Sequence, residues 1–237
     1  MVQMIALNVD KAAYDEWLKV RGKRDQQSSL HYLLDSTFGP SAIKPFRAYP
    51  GTGDTFQVIG YTSQDEEALK QISQLVACPD SLSVIGMGSL RMKAMPDLER
   101  DQVIGFDLKT IPVRRSHVST EVDAYELDLR NGVFQRDAET AGTDRLTSYM
   151  TWLSQRLEGF AELDRELTAI TVTENVPRQR NEIRYNNEIQ VTGNLKVLDP
   201  KAFKDRLLSG VGRHKSYGYG MIVLRAPQLN HRIKNAS

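Results

Sequence analysis

The chain has 237 residues, 40% hydrophobic and 26% charged, which is the composition of an ordinary globular protein of one or two domains. No apolar run is long enough for a membrane helix, and the residues that follow Met1 lack the basic and apolar parts of a signal peptide. The single Cys78 excludes an internal disulfide and a thiolate metal cluster, and the four histidines are too scattered to predict a metal site. We therefore expect a soluble, cytoplasmic protein with no membrane contact and no metal or other cofactor.

The first half of the chain reads as one α+β unit. Alternation and helical periodicity predict strands and helices in the order strand, helices, strand, strand, helix, strand. The predicted elements are a strand at 3–9, helices at 14–20 and 30–38, strands at 44–49 and 55–61, a helix at 66–76 and a strand at 83–91. Ser28 and Ser29 are expected to cap the second helix, and Gly39-Pro40 to end it. This order is that of a ferredoxin-like βαββαβ domain.

The same order then restarts. A strand at 103–108, a helix at 146–157, strands at 167–172 and 189–197, a helix before Leu208 and a strand at 221–224 predict a second βαββαβ unit. Polar residues 131–145 are expected to form a loop or insertion. We predict two tandem ferredoxin-like domains, 1–95 and 100–227, followed by a frayed tail at 228–237.

Charge is distributed unevenly along the chain. The net charge is only +1, but residues 171–237 contain 12 Lys and Arg against 5 Asp and Glu, a balance of +7. The preceding residues 1–170 carry a balance of −6. A cationic last third predicts an anionic partner on that part of the protein, and the acidic remainder argues against indiscriminate coating of nucleic acid.

A glycine-rich segment lies within this cationic third. Four glycines fall between Gly210 and Gly220, with Arg213, His214 and Lys215 among them. Exposed backbone N–H groups beside cationic side chains can hold an anion. A P-loop is excluded because His214 stands where that motif needs Gly, and a dinucleotide fingerprint is excluded because the order here is helix, glycines, strand. A flexible surface loop is the alternative, but the basic centre favours binding of a polyanionic backbone.

With these elements in order, the chain resembles the CasE-type CRISPR RNA-processing endoribonucleases of type I-E systems. The resemblance runs nearly end to end and rests on short motifs, of which the glycine-rich segment is the most specific. These motifs are His31-Tyr-Leu-Leu with Phe38, Lys44-Pro-Phe-Arg47, Phe106–Arg115, Trp152-Leu153 with Gly159-Phe160, Val191–Val197 and Leu208–Gly220. Two positions depart from the family pattern: Ser28 stands where a tyrosine is frequent, and Ile111 where Asn is usual.

The resemblance implies a tandem ferredoxin-like protein that binds the stem-loop of a CRISPR repeat and cuts it once at the base of the stem. The reaction implied needs no metal: the 2′-hydroxyl of the RNA attacks the adjacent phosphate and leaves a cyclic phosphate and a 5′-hydroxyl. The implied partners are the precursor and mature CRISPR RNA hairpin, on which the enzyme remains, and the other subunits of a type I-E or type IV surveillance complex.

The site residues follow from the same resemblance together with side-chain chemistry. His31 is the candidate acid or base, since imidazole can serve either role near neutral pH, and His214 is its rival. Lys215 is expected to stabilise transition-state charge or to pair with a backbone phosphate. Ser28 occupies the tyrosine position, where Tyr32 or Tyr217 could substitute.

The RNA-binding residues are expected among the basic and glycine-rich segments. Arginines near a stem serve phosphate and shape recognition, since A-form RNA hides its base edges in a deep groove. The expected set comprises Arg178, Arg180, Arg184, Gly210, Gly212, Arg213, His214, Ser216, Arg114 and Arg115. A solvated surface charge run is the plain alternative for the arginines.

Two other functions remain open from the sequence. One is a non-cleaving subunit that binds the RNA hairpin, which the serine at position 28 makes conceivable. The other is a structural subunit of a ribonucleoprotein that contacts protein more than RNA. A cleavage assay separates the first from a nuclease, and the salt dependence of RNA affinity identifies the second.

Overall fold

The computed structural model describes residues 1–22, 26–51, 53–115, 121–180 and 182–229, without the side chains of 26–28, 175–180 and 182–186. Within these residues the chain forms two compact units. The first comprises Met1–Asp97, Lys204–Gly210 and His214–Met221; the second comprises Leu98–Phe203, Val211–Arg213 and the chain from Ile222 onwards. No helix in the described part of the chain is long and apolar enough to cross a membrane.

The first unit contains a four-stranded antiparallel sheet covered by helices. Its strands are β1 (Gln3–Asp10), β2 (Phe46–Tyr49), β3 (Thr55–Thr62) and β4 (Ile85–Ala94), and its helices are α1 (Lys11–Val20), α2 (Gln26–Phe38), α3 (Glu66–Val76) and α4 (Pro79–Val84). The strand order β2-β3-β1-β4 is that of a ferredoxin-like domain, as predicted.

The core of this unit follows from the sequence pattern. Alternate residues of β1, namely Ile5, Leu7 and Val9, are fully buried, as the period of two requires. They belong to one cluster with the apolar stripes of α1 and α2, which supply Tyr14, Trp17, Leu18, Leu30, Leu33, Leu34 and Phe38. The carboxylates of Asp10 and Asp65 accept hydrogen bonds from backbone N–H groups at the starts of α1 and α3, each at 2.8 Å.

The second unit repeats the arrangement with two longer strands and an additional two-stranded sheet. Its elements are β5 (Val103–Thr110), β6 (Val113–Arg115), β7 (Glu121–Asp123), α5 (Ala124–Arg130), α6 (Ala141–Leu157), β8 (Ala161–Leu163), β9 (Ala169–Arg180), β10 (Glu182–Val197), α7 (Pro200–Ser209) and β11 (Ile222–Arg225). The helix α7 begins in the second unit and continues into the first. The order β11-β5-β10-β8, with β9 also on β10, is again ferredoxin-like.

Several boundaries differ from the prediction. The helix α2 begins at Gln26, so Ser28 and Ser29 lie inside it and are not its caps. Residues 131–145 are not all loop, because α6 starts at Ala141. The short α5 was not predicted; the carboxylate of Asp123 caps it by accepting from the N–H groups of Tyr125 and Glu126.

The end of the described chain is also more ordered than a frayed tail. The buried side chain of Asn194 accepts a hydrogen bond from the N–H of Gln228 and donates one to its carbonyl, at 2.8 and 2.9 Å. This pair of bonds fixes Gln228 against β10. The rest of the predicted tail, 230–237, lies outside the described residues.

Candidate functional site

The helix α2 presents His31 beside its buried face. Leu30, Leu34 and Phe38 face the core, while the His31 side chain remains 30% exposed. One turn further on, Asp35 places its Oδ2 3.4 Å from the His31 Nε2, and its Oδ1 accepts the backbone N–H of Ser41 at 3.0 Å. The carboxylate therefore links the imidazole to the loop that follows the helix and restricts how the ring can turn.

The glycine-rich segment brings a second set of groups to α2. Its residues Lys215–Tyr217 form a 3-10 turn that packs against α2 within the first unit. The turn is entered through His214, which has left-handed backbone angles of φ 60° and ψ 27°, and its ring lies 6.0 Å from that of Tyr217. Two of the three predicted catalytic residues, His31 and Lys215, thus lie on elements in direct contact, and the third, Ser28, lies on the same helix as His31.

Lys215 lies in a cationic cluster that the sequence did not predict as a whole. Burial lowers the pKa of the Lys215 ammonium, and the positive charges of Lys44 and Arg206 lower it further. We call Lys44, Arg206 and Lys215 the cation cluster. Cations held close enough to perturb one another gain stability when an anion such as a phosphate binds among them.

Backbone geometry holds two members of this cluster in place. The backbone N–H of Lys44 donates to the carbonyl of Tyr61 at 3.0 Å, which fixes Lys44 beside β3. Gly210, at φ 69°, ends α7, and its N–H donates to the carbonyl of Arg206. A Cβ at Gly210 would lie 2.9 Å from the Cδ of Lys215, so the absence of a side chain there makes room for the lysine stem.

Other residues of the glycine-rich segment have mainly structural contacts. Gly212 belongs to the second unit, where a Cβ would lie 2.9 Å from Thr110 Oγ1 and 3.2 Å from Trp152 Cη2. The Arg213 Nε donates to the Glu121 carboxylate at 2.7 Å. These contacts give Gly212 a packing role, and they hold Arg213 in an ion pair. Ser216 lies half-buried in the 3-10 turn.

The remaining arginines separate into two groups. Arg178 and Arg180 lie on β9 and Arg184 lies on β10, where Arg184 pairs with Arg178 across the two strands. Their side chains lie outside the described part of the structure. Arg114 forms an ion pair with the Asp128 carboxylate at 2.6 Å, whereas its neighbour Arg115 is exposed.

Sequence reasoning missed Lys44 and Arg206 as members of the site. Lys44 opens the segment Lys44-Pro-Phe-Arg47, whose apolar residues predict a strand, so its charge gave no separate signal. Arg206 lies on a helix that the pattern predicts, but nothing in the sequence relates that helix to α2. Ser28 lies in the first turn of α2, three residues before His31, with its side chain outside the described residues.

Three solved structures share the fold of this chain over nearly its whole length. The CRISPR endoribonuclease Cse3 bound to a 19-nucleotide RNA has 18% identity and a TM-score of 0.62, covering 95% of this chain and 100% of that one. Thermus thermophilus Cse3, bound to an RNA representing a pre-cleavage complex, has 16% identity and a TM-score of 0.62, with coverages of 94% and 98%. Cas6e from Escherichia coli K-12 has 16% identity and a TM-score of 0.57, with coverages of 96% and 100%.

The sequence was also compared with curated proteins and with protein-family models. A search of curated proteins gave no significant match. A family model described as CRISPR associated protein matches residues 3–226, which is almost the whole chain. Together with the tandem ferredoxin-like architecture, this match shows that the chain belongs to the CRISPR-associated protein family that the model describes.

Proposed function

We propose that this protein is a metal-independent, repeat-specific endoribonuclease that binds the stem-loop of a CRISPR repeat and cuts the precursor RNA at the base of the stem. The observation that carries the proposal is the packing of the His31 helix against the turn that bears Lys215, beside Lys44 and Arg206. The similar folds of Cse3 bound to RNA and of a subunit in a CRISPR RNA-guided surveillance complex support it. After cleavage the protein stays on the hairpin as a member of such a complex.

The arrangement suits an internal transesterification. The 2′-hydroxyl loses a proton and forms a bond to the adjacent phosphorus, while the bond to the 5′-oxygen breaks and that oxygen gains a proton. The products are a 2′,3′-cyclic phosphate and a 5′-hydroxyl, and no water is consumed in this step. His31 serves as the acid or the base. The cation cluster holds the phosphate and opposes the negative charge that develops at phosphorus.

The RNA stem is proposed to lie along the strand pair β9–β10. The cross-strand register brings Arg178 and Arg184 opposite each other, and Arg180 lies two residues further along β9. Such a ladder of cations fits the two phosphate backbones of an A-form stem. Arg115 is an additional candidate contact.

A direct test uses a synthetic repeat hairpin in buffer containing EDTA. Wild-type protein should cut it once, and a 2′-deoxy nucleotide immediately before the cleaved bond should abolish cutting while leaving the hairpin bound. Binding of the all-ribose hairpin without any cleavage would favour the non-cleaving RNA-binding subunit, the alternative that Ser28 at the family's tyrosine position supports.

A further inference from the structure

A pocket of about 540 Å³ opens within the first unit next to the cation cluster. Lys44 belongs both to the lining of this pocket and to the cluster, and Leu208, two residues after Arg206 on α7, forms another part of the lining. Ser41, whose N–H binds the Asp35 carboxylate, also lines it. The pocket therefore lies beside the groups proposed to hold the cleaved phosphate.

The lining has the chemistry of a site for a flat, uncharged ring. Phe38, Ile72 and Leu208 supply apolar surface, and Ser63 and Gln64 supply hydroxyl and carboxamide groups. Lys44 is the charged residue of the lining, which includes no carboxylate among the described residues. The volume falls within the range of about 300–1,000 Å³ found for small-ligand sites.

We propose that this pocket binds an unpaired nucleobase of the RNA strand, within two nucleotides of the phosphate held by the cation cluster. The inference rests on the proposed function, because it takes the strand at the cation cluster to be the substrate. Unpaired bases next to a stem can turn outward and be read on their edges, which paired bases cannot. A phosphate in the cluster and a base in the pocket would together fix the register of the strand and so the position of the cut.

The Gln64 carboxamide is suited to reading the base. Its amide offers two donors and its oxygen an acceptor, which matches the edge of any nucleobase. The main chain at this residue is held by two contacts: its N–H donates to Thr62 Oγ1 at 3.1 Å, and its carbonyl accepts from Gln3 Nε2 at 3.2 Å. The backbone that carries the carboxamide is therefore fixed at the end of β3.

The test measures affinity with the His31→Ala protein, so that cleavage does not interfere. The probe is a repeat hairpin extended on both sides of the cut, with an abasic nucleotide placed in turn at each of the four flanking positions. We expect one position to weaken binding about 5- to 100-fold, the range for loss of a buried, stacked base. A second variant, Ser63→Trp, fills the pocket from an exposed position. It should weaken binding of the intact hairpin by a similar factor, and the abasic nucleotide should then cause no further loss of affinity.

Matched controls separate the pocket from general effects. Ser83→Trp places the same ring at an exposed position outside the pocket and should bind like the parent protein. Gln64→Ala should change the preferred base at the sensitive position, whereas Gln74→Ala, on the exposed face of α3, should not. Thermal melts establish that each variant is folded.

The outcomes distinguish this inference from the proposed function. If all four abasic probes bind like the intact hairpin, or if their weaker binding is unchanged by Ser63→Trp, the pocket does not bind a base. If the wild-type protein fails to cut while one abasic position still weakens binding through the pocket, the nuclease function is wrong and the base-binding pocket is supported.

Discussion

At the scale of single residues, the candidate site combines a restrained imidazole with a cation cluster. His31 is held one helical turn from Asp35, and Lys215 is partly buried near Lys44 and Arg206. Neither feature needs a bound metal to supply a proton or a positive charge. The chemistry of each residue can therefore be tested by a substitution that leaves the others in place.

His31→Ala should reduce the rate of hairpin cleavage by about 10²- to 10⁴-fold, the usual contribution of one general acid or base. Hairpin affinity should stay close to that of the wild type, because in the proposed complex His31 supplies only one of many RNA contacts. His214→Ala is the matched control, since His214 lies at the start of the neighbouring 3-10 turn. A wild-type rate for His31→Ala with loss of activity in His214→Ala would reverse the assignment.

The lowered pKa of Lys215 predicts that the cleavage rate declines at a lower alkaline pH than an ordinary lysine would cause. Because burial and the charges of Lys44 and Arg206 lower this pKa, Lys215 loses its charge at a lower pH than an ordinary lysine does. Cleavage that needs the charge should decline as the pH rises through that value. Lys215→Arg keeps the charge and should move the decline to higher pH, as measured by single-turnover rates across the alkaline range.

A control for this measurement is Lys201→Arg, on the exposed side of α7, which should leave the pH–rate profile unchanged. If the cleavage rate of Lys215→Arg declines at the same pH as that of the wild type, another group is responsible for the decline.

Gly212 and Gly218 form a matched pair for testing the glycine-rich segment. Both have φ of 80°, so alanine is strained at each by roughly 1–2 kcal/mol. At Gly212 the added Cβ also meets Thr110 and Trp152, whereas at Gly218 it lies 3.6 Å from Phe46 in ordinary contact. We expect Gly212→Ala to lower the free energy of unfolding by about 1–3 kcal/mol more than Gly218→Ala, as measured by urea denaturation. Equal losses would mean that Thr110 and Trp152 adjust without cost.

At the scale of elements, the strand pair β9–β10 extends beyond the rest of its sheet. The register continues from Thr192 opposite Ala169 to Glu182 opposite Arg180, with a shift between Asn186 and Glu188. The strand β5 pairs with β10 only as far as Ile189. The outer part of the strand pair β9–β10, which carries the three arginines, therefore extends beyond the pairing with β5.

Replacing Arg178, Arg180 and Arg184 with Ala should weaken hairpin binding and flatten its salt dependence. Removing one phosphate–arginine interaction lowers the slope of log affinity against log salt by about 0.7 to 0.9. A triple replacement of Arg100, Arg130 and Arg136, which are exposed elsewhere in the second unit, removes the same charge and should leave the slope almost unchanged. Equal effects of the two triple variants would locate the RNA away from β9–β10.

The sequence could predict elements wherever periodicity was strong. The helix α3 was predicted with its observed limits, because an apolar stripe runs along it. The sequence pattern could not predict α5, because its seven residues are too few to show a helical period. The family resemblance predicts two individual residues of the candidate site, His31 and Lys215. The cation cluster could not be predicted, because only the folded chain brings Lys44 near Lys215 and Arg206.

At the scale of the whole molecule, the chain passes more than once from one unit to the other. After Asp97 it builds the second unit, and then returns to supply Lys204–Gly210 and His214–Met221 to the first. From the sequence, we predicted that the whole glycine-rich segment belongs to a second domain, 100–227. In the structure, the turn bearing Lys215 and the end of α7 bearing Arg206 belong instead to the first unit, with His31.

This path of the chain has a consequence for synthesis on the ribosome. The His31 helix leaves the ribosome well before the residues that complete its surroundings, which are Lys204–Gly210 and His214–Met221. At roughly 5–20 residues per second, the delay between the two is on the order of 10 s. A nascent or truncated chain ending before residue 204 would carry the imidazole without Arg206 and Lys215. Under the proposed function, the ability to cut RNA would arise only after these later residues have been made.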